Sequence, residues 1–438
     1  MSMAIDGLVS GLDTTGLIKS LMQLEAVPQT LLKNKVSEST ALISALQGLN
    51  TSVAGLATLA TKTAKTDSLD LFTASSSTPT VTAAVTTGAT AGQIDLVVGK
   101  LAQTQVSVSD ALTAWPDTTL TITGAGGTAT TITAASTSLD DVVSAINTAG
   151  AGVTATKVAV GAAGFRLQLT ATASGAAGSF TVSGTAAAMT EVKAGQDAQV
   201  TLWAGTSAAQ AITSSTNTFA NLLPGVAITV SAVSVDPVTV KVARNDAAIS
   251  TVASDLVNGL NGVFALIATK SAVVNSTNGS GAAVVSGGVF TGDSTVRDIN
   301  QRILSAASLP VNGRSPSEIG ISISKTGTME FNATKFAAAL QKDPAGVEAT
   351  LQEIASRVSV AASSASDKFS GQITAKVTGQ QSLVKDLGNR IADWDLRLAS
   401  RKSSLERTYA ALEVQLSKMN SQSSWLSAQI AGLPSGGA

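Results

Sequence analysis

Apolar positions recur at helical spacing at both ends of the chain and at alternate residues between them. Near the start, Leu17, Leu21 and Leu24 follow one another at four and three residues, behind Asp13 and Thr14, either of which can cap a helix. Pro28 breaks the run, because the residue before a proline avoids helical geometry while proline itself suits a first turn. The stripe then resumes through Leu32, Val36, Ile43, Leu46, Leu49, Val53, Leu56 and Leu59. This predicts a second helix over about 28–65, roughly 50 Å long. The far end mirrors it. From Gln380 to Ile430, the residues Leu405, Tyr409, Leu412, Leu416, Met419, Leu426 and Ile430 mark a heptad seam of coiled-coil type. Charged residues surround that seam as far as Lys418, and the last twenty residues carry none.

The middle changes period. Thr119–Thr123 and Thr128–Thr133 alternate around Gly124-Ala-Gly-Gly127, the signature of a hairpin, and Val153–Val160 with Phe165–Leu169 repeats it around Gly161–Gly164. Ser138 caps a short helix between them, with Asp140 and Asp141 in its first turn and Gly150 after its end. Further strands are expected near Ile94–Val98, Val200–Trp203, Val226–Val233 and Val238–Val242. Helix returns at Asn245, with one stripe from Ile249 to Ile267, and again after Asp293 or Ser294. Ile319–Ile323 and Met329–Phe331 read as a hairpin, and Asp343-Pro344 as a helix start.

This order predicts a multidomain α+β fold. The terminal helices form a coiled coil or bundle, the inner domain is mainly helical, and the central domains are antiparallel and β-rich. The domains are nested, so both chain ends lie together. The expected boundaries are 1–45 with 385–438 for the terminal coiled coil, 46–72 with 245–384 for a helical bundle bearing a hairpin, 73–111 with 195–244 for a β domain, and 112–194 for an inserted β-rich domain with one short helix.

Composition narrows the chemistry. The 438 residues are 44% hydrophobic but only 3% aromatic, so the cores are built from small side chains. Net charge is −1, which gives no general attraction to nucleic acid. No cysteine or histidine is present, which removes disulfides, thiol nucleophiles, Cys/His zinc sites and the usual base of triad hydrolases. No catalytic, metal or cofactor site is expected. Asp140 and Asp141 read as first-turn helix charge rather than an acid/base pair, and Asp293 as a cap rather than a metal ligand. The glycine loops lack the lysine of a phosphate cradle. No membrane span and no cleaved secretory signal are expected. Trp425, in the uncharged terminal segment, reads as a partner anchor. Trp394, between Asp393 and Asp395, reads as a helix cover.

The stretch "SGLDTTGLIKSLMQLEAVP" (Ser10–Pro28) resembles the opening of the flagellar hook-associated protein 2 family. "LDDVVSAINTAGAGVTAT" (Leu139–Thr156) resembles the Ile-Asn motif of flagellins and hook-associated proteins. "GQDAQVTL", "SSTNTFANLLPGVAITV", "GVFTGDSTVRDI" and "EIGISISKTGTMEFN" follow in the family's order. The chain departs at Trp203-Ala-Gly205, where the family has Asp-Gly, and at Asn332, where it has Asp. The resemblance implies a filament cap rather than an enzyme: an oligomer of four to six subunits at the distal filament tip that shelters exported flagellin, promotes its folding and insertion, and prevents its loss. It implies flagellin, hook-associated junction proteins and a cytoplasmic export chaperone as partners. It also implies an extracellular location reached by the flagellar type III route. Two alternatives stay open, a hook–filament junction or flagellin-like structural subunit, and a secreted adhesin binding host glycans. The residues expected to carry self-assembly and filament binding are Leu12, Leu17, Leu21, Leu24, Leu405, Tyr409, Leu412, Leu416, Met419, Trp425, Leu426 and Ile430. The C-terminal set is expected to face the N-terminal set within or between subunits. Accordingly, Leu416→Asp is expected to abolish assembly while the β domains stay folded. Motility of cells carrying the variant, together with its mass by light scattering, checks this, and a motile, assembled variant rules it out.

Overall fold

The computed structural model describes residues 11, 13–277, 281 and 283–431, and the chain divides into two compact units, residues 1–68 with 250–438 and residues 69–249. The first unit opens with helix α1 (Thr14–Glu25). Asp13 caps it, its carboxylate accepting the Gly16 N–H at 2.6 Å. One residue on, α2 (Val27–Thr63) begins, with Pro28 in its first turn where no N–H is needed. Leu46, Leu49, Val53, Leu56 and Ala60 form its buried stripe. Its N-terminal half buries much less, chiefly Gln29 and Ser39.

The second unit is built of strands, and every pairing described is antiparallel. Its first half holds β1 (Phe72–Ser76), β2 (Val81–Val85), β3 (Gly92–Lys100) and β4 (Val106–Ser109). Then come β5 (Thr119–Gly124), β6 (Ala129–Thr133), helix α3 (Leu139–Ala149), β7 (Val153–Ala159), β8 (Phe165–Ala171), β9 (Phe180–Ser183) and β10 (Met189–Lys193). β11 (Ala198–Leu202), β12 (Gln210–Ser214), β13 (Thr218–Leu223), β14 (Val226–Val230) and β15 (Val238–Arg244) complete it. Two cores result. The sheets β1-β15-β3-β11-β12 and β13-β14-β2 enclose Leu96, Val200, Ile228 and Val240. The sheets β10-β4-β8-β7 and β6-β5-β9, with α3, enclose Trp115, Leu120, Ile146, Leu167 and Leu169. The helix expected at Ser138 is capped by that residue and ends in the left-handed Gly150.

The chain re-enters the first unit through α4 (Asp246–Ser271), which buries Ile249, Leu256, Leu260 and Val263. A hairpin follows, β16 (Val273–Thr277) with β17 (Ala283–Gly287), then α5 (Ser294–Ser308), capped by Asp293. β18 (Ile321–Ile323) and β19 (Met329–Phe331) form the expected small hairpin. α6 (Ala333–Lys342) starts at Asn332, which caps it as aspartate does. Asp343 caps α7 (Pro344–Ser366), and its carboxyl is held below the usual 3.8 by the Gly346 N–H and by Arg314. Finally α8 (Gln372–Ala431) runs for 60 residues, about 90 Å, starting eight residues before the expected Gln380.

Three sequence expectations change. The strand expected over Val226–Val233 stops at Val230, because Ser234 turns in to bond Val98 through both its N–H and its hydroxyl. The residue expected to end a strand at Trp203 instead adopts φ +49°, so the departure at Trp203-Ala-Gly205 is a turn carried by a non-glycine residue. The expectation that nothing is long and apolar enough to span a bilayer does not hold by length and composition: α2 and α4 both qualify. Their leucines, isoleucines, valines and alanines raise the mean hydropathy, and each turns a buried stripe into the helical bundle.

Three carboxamide side chains finish the strand edges. Gln105, itself buried, accepts the Phe180 N–H and donates to the Phe180 carbonyl, both at 2.8 Å, on the outer edge of β9. Asn147 does the same for Ala155 on the edge of β7, at 2.7 and 3.0 Å. Asn261 does it for Met329 on β19, both at 2.8 Å. Each amide replaces the missing neighbour strand, which removes an open edge and satisfies two backbone groups at once. The Ile-Asn motif therefore has a plain mechanism: Ile146 fills the core and Asn147 closes the sheet beside it. Gln105→Met leaves two buried backbone groups without partners and is expected to destabilise this core by about 3 kcal/mol. Urea melts followed by Trp fluorescence, where buried Trp115 reports on this core, check this; an unchanged midpoint contradicts it.

Candidate functional site

The described helices bring the two ends of the chain together. α1 and the first half of α2 run antiparallel to α8. Glu25 meets Arg401 at 2.9 Å, and four residues later the Gln29 amide donates to Asp395 at 2.6 Å. Lys33 in turn donates to the other end of the Gln29 amide at 3.2 Å. The Glu25–Arg401 pair is solvated and contributes little energy. Gln29 is different. It is buried, and a buried polar group between two helices fixes their register, since any slip leaves it without a partner.

The register locates the predicted residues. Thr14 lies eleven residues before Glu25, which places the start of α1 level with about residue 412 of α8. The side chains that α1 buries are Thr14 and Ile18, and Ile18 was absent from the sequence-predicted set. Leu21 is half-buried, whereas Leu17 and Leu24 point to solvent, Leu24 being 72% exposed. The stripe read as Leu17, Leu21 and Leu24 is therefore largely an outer face. The inner one runs Thr14, Ile18, Leu21 or Met22, Glu25 and Gln29. Its polar members hid a heptad spacing that the sequence does contain. On α8, Leu405, Tyr409 and Leu416 are half-buried; Leu412, Met419, Trp425, Leu426 and Ile430 are exposed, and Glu413 is buried. Residues 418–431 are exposed throughout, with Trp425 at 64%. Leu12 lies outside the described residues.

The other candidates have structural partners. Asp140 pairs with Lys157 at 2.9 Å, and Asp141 accepts from Ser136. Asp293 caps α5 and pairs with Lys376, beside an open cleft of about 690 Å³ lined by Ser294, Thr295, Asp298, Gln372, Ala375 and Lys376. Trp394 carries Arg397 over its ring, 5.6 Å from the centroid. Gly124-Ala-Gly-Gly127 is the turn of the β5–β6 hairpin.

Residues 195–421 match the family described as Flagellar hook-associated protein 2 C-terminus, and residues 10–105 its N-terminus. The chain belongs to the flagellar hook-associated protein 2 family. Residues 119–173 also match the Flagellin hook IN motif, the segment that contains Asn147 and its partner strand. The Flagellar hook-associated protein 2 of Escherichia coli K12 is 28% identical, and that of Escherichia coli O157:H7 is 27% identical. Each alignment covers 97% of both chains. The crystal structure of the flagellar cap protein FliD D1-D2-D3 domains from Escherichia coli superposes with a TM-score of 0.62 at 27% identity, covering 77% of this chain and 99% of that one. The α+β multidomain fold is thus that of the hook-associated protein 2 family.

Inner and outer faces of α1 separate by substitution. Ile18→Asp places a carboxylate in the α1–α8 contact and is expected to release α1, at a cost of about 3 kcal/mol, with early tryptic cleavage at Lys19. Leu24→Asp on the outer face is expected to leave proteolysis unchanged and to weaken self-association. Equal protease resistance in the two variants contradicts the assignment.

Proposed function

We infer that the chain is a subunit of the flagellar filament cap. The family assignment carries this reading, and the FliD relative of known structure is a flagellar cap protein. The work is steric: an oligomer of four to six subunits at the distal tip keeps exported flagellin from diffusing away while it folds and inserts. Contacts of this kind must form and break repeatedly, which suits modest surfaces better than one large apolar interface. Exposed apolar side chains support the reading: Leu17, Leu24 and Leu412 on the paired helices, and Met419, Trp425, Leu426 and Ile430 on the stretch of α8 beyond them, where charge is absent after Lys418. These side chains contact neighbouring subunits and the filament end. The functional division follows the four nested domains, with 1–45 and 385–438 as the assembly part. The protein acts outside the cell, at the flagellar tip, exported through the flagellar type III route with a cytoplasmic export chaperone as a partner. Flagellin and the hook-associated junction proteins are its other partners.

Light scattering tests the reading. Full-length protein is expected to form a defined oligomer of four to six subunits or a stacked pair of such rings, and a version lacking residues 1–45 and 385–438 is expected to fall to monomer. Two monomers turn the paired helices into an internal bundle and remove the cap assignment.

A further inference from the structure

The chain has no cysteine, so its sulfur chemistry lies in six methionines. Met329 in β19 is buried, and Met22 and Met189 are half-buried. Met1 and Met3 lie outside the described residues. Met419 stands apart, with 62% of its surface open to solvent. Its position matters as much as its exposure. Met419 falls seven residues after Leu412 and seven before Leu426, so the three lie along one side of α8, each about two turns from the next. Leu412 and Leu426 are exposed as well, and no charge follows Lys418. Among the described residues, this is the one thioether that stands open to solvent, and it lies in the middle of an apolar stripe.

We propose that Met419 is an oxidation site that controls the contacts of α8, with a two-electron peroxide oxidant as the co-reactant. The sulfur lone pair attacks one peroxide oxygen, and the S–O bond forms as the O–O bond breaks. The leaving oxygen takes the proton of the transferred hydroxyl and departs, as water when the oxidant is hydrogen peroxide. The thioether is oxidised to a sulfoxide and the peroxide is reduced. This turns a flexible apolar side chain into a polar one. A sulfoxide in the stripe must shed its water when a contact forms, and an apolar partner surface gives it no hydrogen bond in exchange. Contact and oxidation therefore exclude each other, because the sulfur is open in the single chain and covered once the stripe is engaged. The free subunit is the form that the oxidant reaches, and the oxidised subunit is the form that assembles poorly. A soft thioether suits a contact that re-forms in more than one arrangement, and this susceptibility comes with it. The proposal rests on the self-association that the cap reading requires.

The test treats the full chain with graded doses of hydrogen peroxide. Peptide mass mapping reads the sulfoxide at each methionine, and sedimentation velocity reads association. Met419 is expected to oxidise ahead of Met22, Met189 and Met329, and more slowly at concentrations where the chain is assembled. Association is expected to weaken at least about tenfold, in step with the sulfoxide fraction at Met419. It is expected to recover with methionine sulfoxide reductases and a thiol reductant, which finds no disulfide to break in this chain. Met419→Leu, compared with its own untreated form, is expected to keep its affinity under the same doses. The proposal is overturned, and the cap reading stands, if wild type assembles and its association is unchanged with Met419 oxidised or falls in step with another methionine. Equal loss in Met419→Leu and wild type overturns it as well. If wild type is a monomer at every concentration, both fall.

Discussion

The antiparallel packing of α2 on α8 is the constraint from which the rest of the molecule follows. Two helices far apart in sequence lie side by side, so everything between them must leave the pair and return to it. α7 and α4 pack on the C-terminal half of α2 and supply its buried stripe with partners, which is where Leu46, Leu49, Val53 and Leu56 vanish from solvent. Toward the N-terminus only α1 and α8 remain, burial thins, and polar contacts through Gln29 take over from leucine packing. Stability is thus concentrated in the bundle, while the paired helices beyond it are specified more by register than by apolar area.

The strand-rich unit solves a different problem. With few aromatic side chains, its two cores gain little burial per residue, and Trp115, Phe180 and Phe219 are the exceptions. What it lacks in apolar area it offsets in completeness of hydrogen bonding. Side-chain amides stand where strands would otherwise be needed, Ser234 fills the ladder beside Val98, and Asp197 holds the Ala176 N–H at the entry to the inserted sheets. An unmade buried hydrogen bond costs more than a made one contributes, so closing the edges is an economical route for a chain of small residues.

Helices and caps were legible because their signals are local: Asp13, Ser138, Asp293 and Asn332 each cap the helix that follows. The hairpins around Gly124 and Gly161 were legible by alternation. Strands such as β1, β12 and β13 were not, since Ala, Ser and Thr on a half-exposed edge carry no periodic contrast, and β16 and β17 put paired valines where alternation was sought. The inner face of α1 was missed for a related reason. Its heptad positions include Thr14, Glu25 and Gln29, and a search for apolar stripes settles on the more hydrophobic outer face. A helix whose exposed side is more apolar than its packed side misleads pattern reading, because the exposed side resembles a core.

The C-terminal stretch of α8 has a mechanical consequence. From Lys418 onward the helix is exposed on all sides, a rod of about 20 Å fixed at one end. A tilt of roughly ten degrees at its root swings the tip by about 3.5 Å, comparable to one residue of an extended chain. Such a cantilever converts a small rotation inside the bundle into a displacement of one extended residue at its tip, which under the proposed cap function is the scale on which its contacts change.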